Sequence, residues 1–293
     1  MGGEILPISE AGLNVTDWGL THCDITYDVV PAWKGAFFRL EDYLTRFEAS
    51  LAAWRLDIGL TRADIAAALH QMVGASGLQD AYVAMVAARG RNPVPGSRDP
   101  RDCINHFYAW CVPYVHLVKP EDAARGTSVW IAKSVRRIPR DSVDPTAKNY
   151  HWGDFTSGLF EAKDNGFETT LLLDHDGHVT EGPGFNVFAV FDDRIVTSDH
   201  GVLHGISRRT ALEMAAARGL ATACRPLPLD EFWQADEVFL TTSGGGILPV
   251  VQVDAHHFSN GAPGPVARAL RQDYFNWLEQ DRFRSPIRYT HAR

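Results

Sequence analysis

Arginine cannot form an imine, so covalent amine chemistry in this 293-residue chain must use one of five lysines: Lys34, Lys119, Lys133, Lys148 or Lys163. Lys34 falls in a hairpin turn and Lys119 in a linker-like stretch. Lys133 sits in a strand near two arginines, and Lys163 lies on a helix two residues after Glu161. All four fit solvated side chains. Lys148, in Val143-Asp-Pro-Thr-Ala-Lys-Asn-Tyr-His-Trp-Gly-Asp154, follows a proline-containing segment and precedes a helix. From there its amine can project between elements, where desolvation and neighbouring cations lower a lysine's pKa and make it a nucleophile. A solvated loop lysine is the competing reading.

Three further segments suit a small anionic, ring-containing ligand. In Val179-Thr-Glu181-Gly-Pro-Gly-Phe-Asn186-Val-Phe188, two short strands meet across a glycine-bounded bend that fixes one carboxylate. Buried, that carboxylate needs a cation, and a protonated pyridine nitrogen is one; exposed, it is a turn acid. In Gly201-Val-Leu-His-Gly205-Ile206-Ser207-Arg208, a helix opens directly after Gly205. The N–H groups of Ile206 and Ser207, with the serine hydroxyl, make either a phosphate cup or a Ser-capped helix. Thr241-Thr242-Ser243-Gly244-Gly-Gly246 runs a strand into hydroxyls and glycines, a second phosphate donor or a flexible turn, and lacks the lysine of a Walker A loop. The twelve histidines show no HExxH or Cys/His spacing, so no metal site is expected. No GxSxG elbow supports a hydrolase.

These groups must be carried by regular elements. The pattern is strand-like from Glu4 to about Leu40, with a hairpin turn at 33–36. Helices follow at about 41–54 and 61–75, the second N-capped by Thr61, then strands at 81–88 and 104–115. Later come a strand at 128–134, a helix at 152–165 and strands near 168–174, 178–182, 185–191 and 194–197. A helix at 206–218, strands at 221–225 and 237–241, and a last helix at 265–280 complete the pattern. Strands with interspersed helices in both halves give an α/β (α+β) chain of two domains. The expected division is 1–118, a linker at 119–126, and 127–293 carrying Lys148.

A net charge of −8 without a long basic run excludes phosphate-neutralising nucleic-acid partners. No apolar run approaches the roughly 20 residues of a membrane span. Cys23, Cys103, Cys111 and Cys224 form no CxxC pair and read as reduced thiols. With no signal-peptide pattern at the N-terminus, a cytoplasmic location is expected.

Taken in order, Arg46, Lys148, Glu181-Gly-x-Gly-Phe-Asn186, Leu203-x-Gly-Ile-Ser-Arg208 and Thr241-Thr242 resemble the class IV (fold type IV) pyridoxal-phosphate-dependent aminotransferases. The resemblance covers about residues 4–280. His22-x-Asp24-x-Thr-Tyr27-Asp and Asp144-Pro-Thr-x-Lys-Asn-x-x-Trp152-Gly-Asp are most similar to the (R)-selective amine transaminases. It implies a two-domain fold type IV architecture with pyridoxal 5'-phosphate as a Schiff base on Lys148, which shuttles the substrate proton. It further implies that Glu181 keeps the pyridine nitrogen protonated and that Arg46, Ile206, Ser207 and Thr242 bind phosphate. Leu203 packs under the ring, and Phe185, Asn186 and Thr241 complete the cofactor set. His22, Tyr27, Val29, Tyr82, Ala84, Trp152, Gly182 and Ser243 line the substrate pockets.

The implied partners are an amine or amino-acid donor, a keto-acid acceptor and further copies of the chain in a homodimer or higher homo-oligomer. The implied reaction moves an amino group from an (R)-amine or D-amino acid to a keto acid such as pyruvate. Transamination of branched-chain or other L-amino acids, and an aminodeoxychorismate-lyase-type reaction, are the alternatives on the same fold. Several (R)-amine enzymes carry an arginine for the acceptor carboxylate after the 81–88 strand. Here Pro95 stands at or beside that position, with Arg91 and Arg98 nearby.

Overall fold

The computed structural model describes residues 3–119, 123, 125–192 and 194–289. Its backbone divides into two compact units. One is Met1–Val115 with Ala147–Tyr150 and Glu279–Arg293; the other is His116–Thr146 with His151–Leu278. The expected 119–126 linker lies in part outside the described residues. Lys148, expected in the second domain, belongs instead to the first unit.

The first unit opens with a helical turn, α1 (Trp18–Thr21), whose first turn is capped by the Asp17 carboxylate accepting from Gly19 N–H. β1 (Ile25–Trp33) and β2 (Ala36–Phe38) form the expected hairpin, paired Ala32↔Phe37 and Trp33↔Ala36. Left-handed φ values of 46° at Lys34 and 75° at Gly35 close its turn. Residues 4–17, expected as strand, form none: they hold one 3-10 turn at Ile8–Glu10 and have no neighbouring strand. Helices α2 (Leu40–Trp54) and α3 (Arg62–Ser76) follow, and Thr61 and Asp64 make a full capping box at α3.

Strands β3 (Ala81–Arg91) and β4 (Ile104–Pro113), with the late strand β16 (Arg284–Pro286), complete an antiparallel sheet ordered β16-β2-β1-β3-β4. Residues two apart on a strand share a face. One face therefore stacks Val29, Ala84 and Trp110 in one cross-strand row, and Tyr27, Val86 and Tyr108 in the next.

Ala147–Tyr150 is strapped to β1 by its main chain. The Thr26 hydroxyl donates to the Lys148 carbonyl at 2.6 Å, and Tyr27 N–H to the same oxygen at 3.4 Å. An antiparallel bridge joins Thr26 to Asn149, and Lys148 N–H reaches Ser50 Oγ at 3.3 Å. These bonds are why the lysine segment leaves the unit that flanks it in sequence.

The second unit contains β5 (Thr127–Ile131), α4 (Gly153–Asp164), β6 (Thr169–Leu171), β7 (His178–Val179), β8 (Glu181–Gly182), β9 (Phe185–Phe191) and β10 (Arg194–Thr197). After these come α5 (Ile206–Ala217), β11 (Ala221–Cys224), β12 (Leu227–Pro228), β13 (Glu237–Thr242), β14 (Gly246–Val253), β15 (His256–His257) and α6 (Pro265–Leu278). The main sheet runs β11-β10-β9-β13-β14-β5-β6, with β8 on β9 and β15 on β14; β7 and β12 pair separately. β14 is central and is not expected from the sequence, because Pro249 argues against a central strand. It is tolerated because β5 begins to pair only at Val250, where the register also shifts. Gly244–Gly246 is thus a hairpin turn, with Thr242 opposite Gly246. Among the described residues no helix is long and apolar enough to cross a membrane.

Thr26→Val keeps the shape of a buried residue and deletes the 2.6 Å bond to Lys148. It should lower unfolding stability by about 1–2 kcal/mol in urea melts and speed amide exchange at Tyr27, since a buried carbonyl loses a donor. Unchanged exchange would show that this bond does not fix the lysine segment.

Candidate active site

Lys148 is half-buried, and its ammonium lies 4.3 Å from the centroid of the Tyr27 ring. Tyr27 in turn packs against Tyr150 at 4.2 Å between centroids. The other described lysines are surface groups. Lys34 holds Glu279 at 2.6 Å, Lys133 pairs with Asp254, Lys163 donates to the Glu168 carbonyl at 2.7 Å, and Lys119 is exposed. The lysine singled out by elimination is half-buried over its ring, whereas Lys133, 5.1 Å from the Trp130 centroid, is exposed.

Tyr27, Val29, Tyr82 and Ala84 share this face with Ile25, Val86, Ala88, Tyr108, Trp110 and Tyr150. Burial pushes the Tyr82 phenol up, against the opposing pull of the Lys148 charge. Arg46, on α2, forms a two-bond pair with the fully buried Asp28, Nε–Oδ2 at 2.8 Å and Nη2–Oδ1 at 2.6 Å. Burial alone would lower this guanidinium; Asp28 more than offsets it and holds the group above its usual value. His22 does not join the cluster: it is exposed, stacks on Trp18 and shares a 2.7 Å hydrogen bond with Thr21. Arg91 and Arg98 are both exposed.

In the second unit Glu181 is only 5% exposed. Its Oε1 accepts from Arg137, Nε at 3.2 Å and Nη2 at 3.1 Å, and its Oε2 accepts from Leu203 N–H at 2.9 Å and Asn186 Nδ2 at 3.4 Å. Arg137 also grips Asp154 at 2.6 Å and stacks on Phe155 at 4.3 Å. Asn186 Nδ2 donates to the Leu203 carbonyl at 2.8 Å. A Cβ at Gly205 would run into Asn186 Oδ1, so glycine is required there. At Gly182 a Cβ would meet the Phe185 ring and the Thr170 carbonyl. Glu181, Gly182, Phe185, Asn186 and Leu203 are thereby one contiguous group. Trp152 lies close to it, 4.0 Å from where a Cβ on Gly184 would be.

Helix α5 starts at Ile206 with Gly205 as N-cap and no side-chain cap. The Ser207 hydroxyl, read alternatively as a cap, is buried and has no partner. The Thr241 hydroxyl, next to Asn186 across the sheet, is likewise buried and unpartnered. Thr242 Oγ1 accepts from Gly244 N–H at 3.1 Å, and Ser243 is half-buried in the same turn. Two buried hydroxyls are thus orphaned, one of them in the first turn of a helix whose first N–H groups have no intrahelical acceptor.

Arg137 and Asp154 are the residues that the sequence does not single out. A buried carboxylate demands a cation, but nothing local distinguishes Arg137 from Arg136. Asp174, Asp176 and His178 bring potential ligand atoms within 4.8 Å of one another, on a turn whose hydrogen bonds to Asp174 account for the clustering.

A family model described as Amino-transferase class IV matches residues 26–253. A putative branched-chain-amino-acid aminotransferase of Methanocaldococcus jannaschii is 28% identical over 277 residues, covering 94% of each chain. A D-alanine aminotransferase of Bacillus licheniformis is 26% identical, covering 92% of this chain and 93% of its own. The branched-chain amino acid aminotransferase from Thermobaculum terrenum, solved in its PLP-bound holo-form, superposes with a TM-score of 0.84 at 27% identity, covering 97% of this chain and 96% of its own.

Arg137→Ala strands two buried carboxylates and should cost about 3–5 kcal/mol in guanidinium unfolding. Arg137→Met combined with Glu181→Gln and Asp154→Asn should recover most of that loss. Equal destabilisation by both variants would show that packing, not charge pairing, dominates.

Proposed function

The chain belongs to the class IV aminotransferases, and on that premise we propose that it moves an amino group from a primary (R)-amine or D-amino acid to a keto acid such as pyruvate. It is a pyridoxal-phosphate-dependent enzyme of the fold type IV architecture. The buried, unpartnered hydroxyls of Ser207 and Thr241 fit a phosphorylated cofactor. When bound, the cofactor supplies an electron sink for the carbon that carries the amine.

The chain's own groups divide the remaining work. Lys148 Nζ would hold the cofactor covalently and, once displaced by the substrate amine, would take and return the proton of the reacting carbon as the single acid–base group. Glu181 would keep the ring nitrogen protonated, and Arg137 and Leu203 N–H hold the Glu181 carboxylate in place. Ile206, Ser207 and Thr242 would donate to the phosphate, and Arg46 would add its charge there. The half-buried position of Lys148 over Tyr27, against the surface ties of Lys34, Lys133 and Lys163, carries this assignment. The motifs around Tyr27 and Trp152, the small Ala84 and the D-alanine aminotransferase relative support the (R)/D donor class.

A branched-chain L-amino acid donor is the second reading, favoured by the names of the Methanocaldococcus jannaschii relative and of the Thermobaculum terrenum structure. We further propose a homodimer, which sedimentation should show.

Lys148→Ala should lower turnover by about 10²–10⁴-fold and prevent borohydride from fixing the cofactor to the protein. Holoenzyme mixed separately with (R)-1-phenylethylamine, D-alanine and L-leucine should convert to the amine form of the cofactor with the first two. Conversion by L-leucine alone would overturn the donor class and leave transamination intact.

A further inference from the structure

We propose that Tyr108 and Tyr150 are specificity-determining residues whose phenolic O–H groups donate to the carboxylate of the amino acceptor. The inference deepens the reading above and rests on it.

Both rings belong to the face that carries Lys148. Tyr108 sits in the cross-strand row of Tyr27 and Val86, and Tyr150 packs on Tyr27, over which the Lys148 ammonium lies. Each ring is half-buried in the aromatic cluster, yet neither hydroxyl hydrogen-bonds to any described residue. Both hydroxyls are therefore open to an acceptor that a ligand brings. Burial pushes Tyr108 up to about 12. It lifts Tyr150 well above the usual tyrosine range, and the Tyr108, Tyr27 and Tyr82 phenols raise Tyr150 further. Both therefore stay protonated, as donors, at any working pH.

The buried guanidiniums of the first unit are committed elsewhere. Asp42 holds Arg39, Asp28 holds Arg46, and Arg89 is taken by Asp24 with the Trp54 and Arg55 carbonyls. Arg91 and Arg98 are exposed.

The chemistry favours neutral donors. A transaminase of this reading admits an uncharged-tailed amine and a carboxylate-bearing keto acid in turn. A fixed arginine left facing an amine without a carboxylate would be a desolvated, unpaired charge. A phenol left unmet costs far less, and its ring offers apolar surface to an aryl or alkyl group. The acceptor class is thus a monocarboxylic keto acid, alternating with a donor that is apolar at the same end.

The test uses the amine form of the holoenzyme, with Tyr108→Phe, Tyr150→Phe and the double variant, which keep the rings. Pyruvate and 4-methyl-2-oxopentanoate are compared with the carboxylate-free acceptor butanal. Binding of 3-phenylpropionate is compared with that of 3-phenylpropan-1-ol through the cofactor absorbance. In the double variant the acid-to-aldehyde rate ratio and the acid-to-alcohol affinity ratio should each fall by about 10- to 100-fold, the loss expected for hydrogen bonds to a charged group. Unchanged ratios, whether the rates hold or fall together, would overturn the proposal. So would a loss of the ratios in Arg91→Ala or Arg98→Ala with the tyrosine variants unaffected. Because both keto acids are tested, an enzyme that takes only L-leucine as donor would fail the donor assignment without deciding this one.

Discussion

A carboxylate enclosed among apolar strands is tolerated only where cations and N–H groups replace its water, and Glu181 sets that requirement for the second unit. Four elements answer it. Arg137 arrives from the segment after β5, its own N–H fixed by the Leu173 carbonyl at 2.9 Å. It brings α4 along through Asp154 and Phe155. Asn186 on β9 and the Leu203 N–H fill the other oxygen, and the bond from Asn186 to the Leu203 carbonyl locks that loop into Gly205 and the head of α5. The carboxylate and the orphaned Ser207 hydroxyl are therefore held in one frame. A shift of the carboxylate would break its bond to Leu203 N–H, on the loop that leads into α5.

The first unit solves a different problem. Lys148 is placed through its main chain, by Thr26, Ser50 and the bridge to Asn149. A lysine over an aromatic ring gains about 0.5–2 kcal/mol, whereas breaking a buried ion pair costs about 3–5 kcal/mol. Asp28, the buried acid on β1, is occupied by Arg46 through two hydrogen bonds.

What the sequence reveals follows from which interactions are local. The periodicity of Leu44, Phe47 and Leu51, the Thr61 cap and the 33–36 turn are local signals, and each element forms. Lys148 stands out because so few lysines compete with it, yet its unit does not. The strap to Thr26 spans 122 positions and leaves no trace in neighbouring residues. Arg137 is illegible for the same reason, since the choice between two adjacent arginines is made by Glu181, 44 positions on. β14 is hidden by Pro249, whose missing N–H is harmless only because of where β5 starts. Residues 4–17 carry apolar side chains in a strand-like pattern but have no neighbouring strand to join. The shared face of Tyr108 and Tyr150 likewise needs the β3–β4 register and the strap together.

Two buried hydroxyls of the second unit, those of Ser207 and Thr241, have no partner. A buried donor without an acceptor costs about 1–3 kcal/mol, a sizeable fraction of a protein's net stability. Alanine at these positions would remove that cost, so their presence points to acceptors that arrive with ligands. Such acceptors bind the folded chain and not the unfolded one, and so add stability as they bind. Cofactor and substrate are in this sense part of the fold's hydrogen-bond accounting. The strands and the Glu181 network fix the frame, and the ligands complete it.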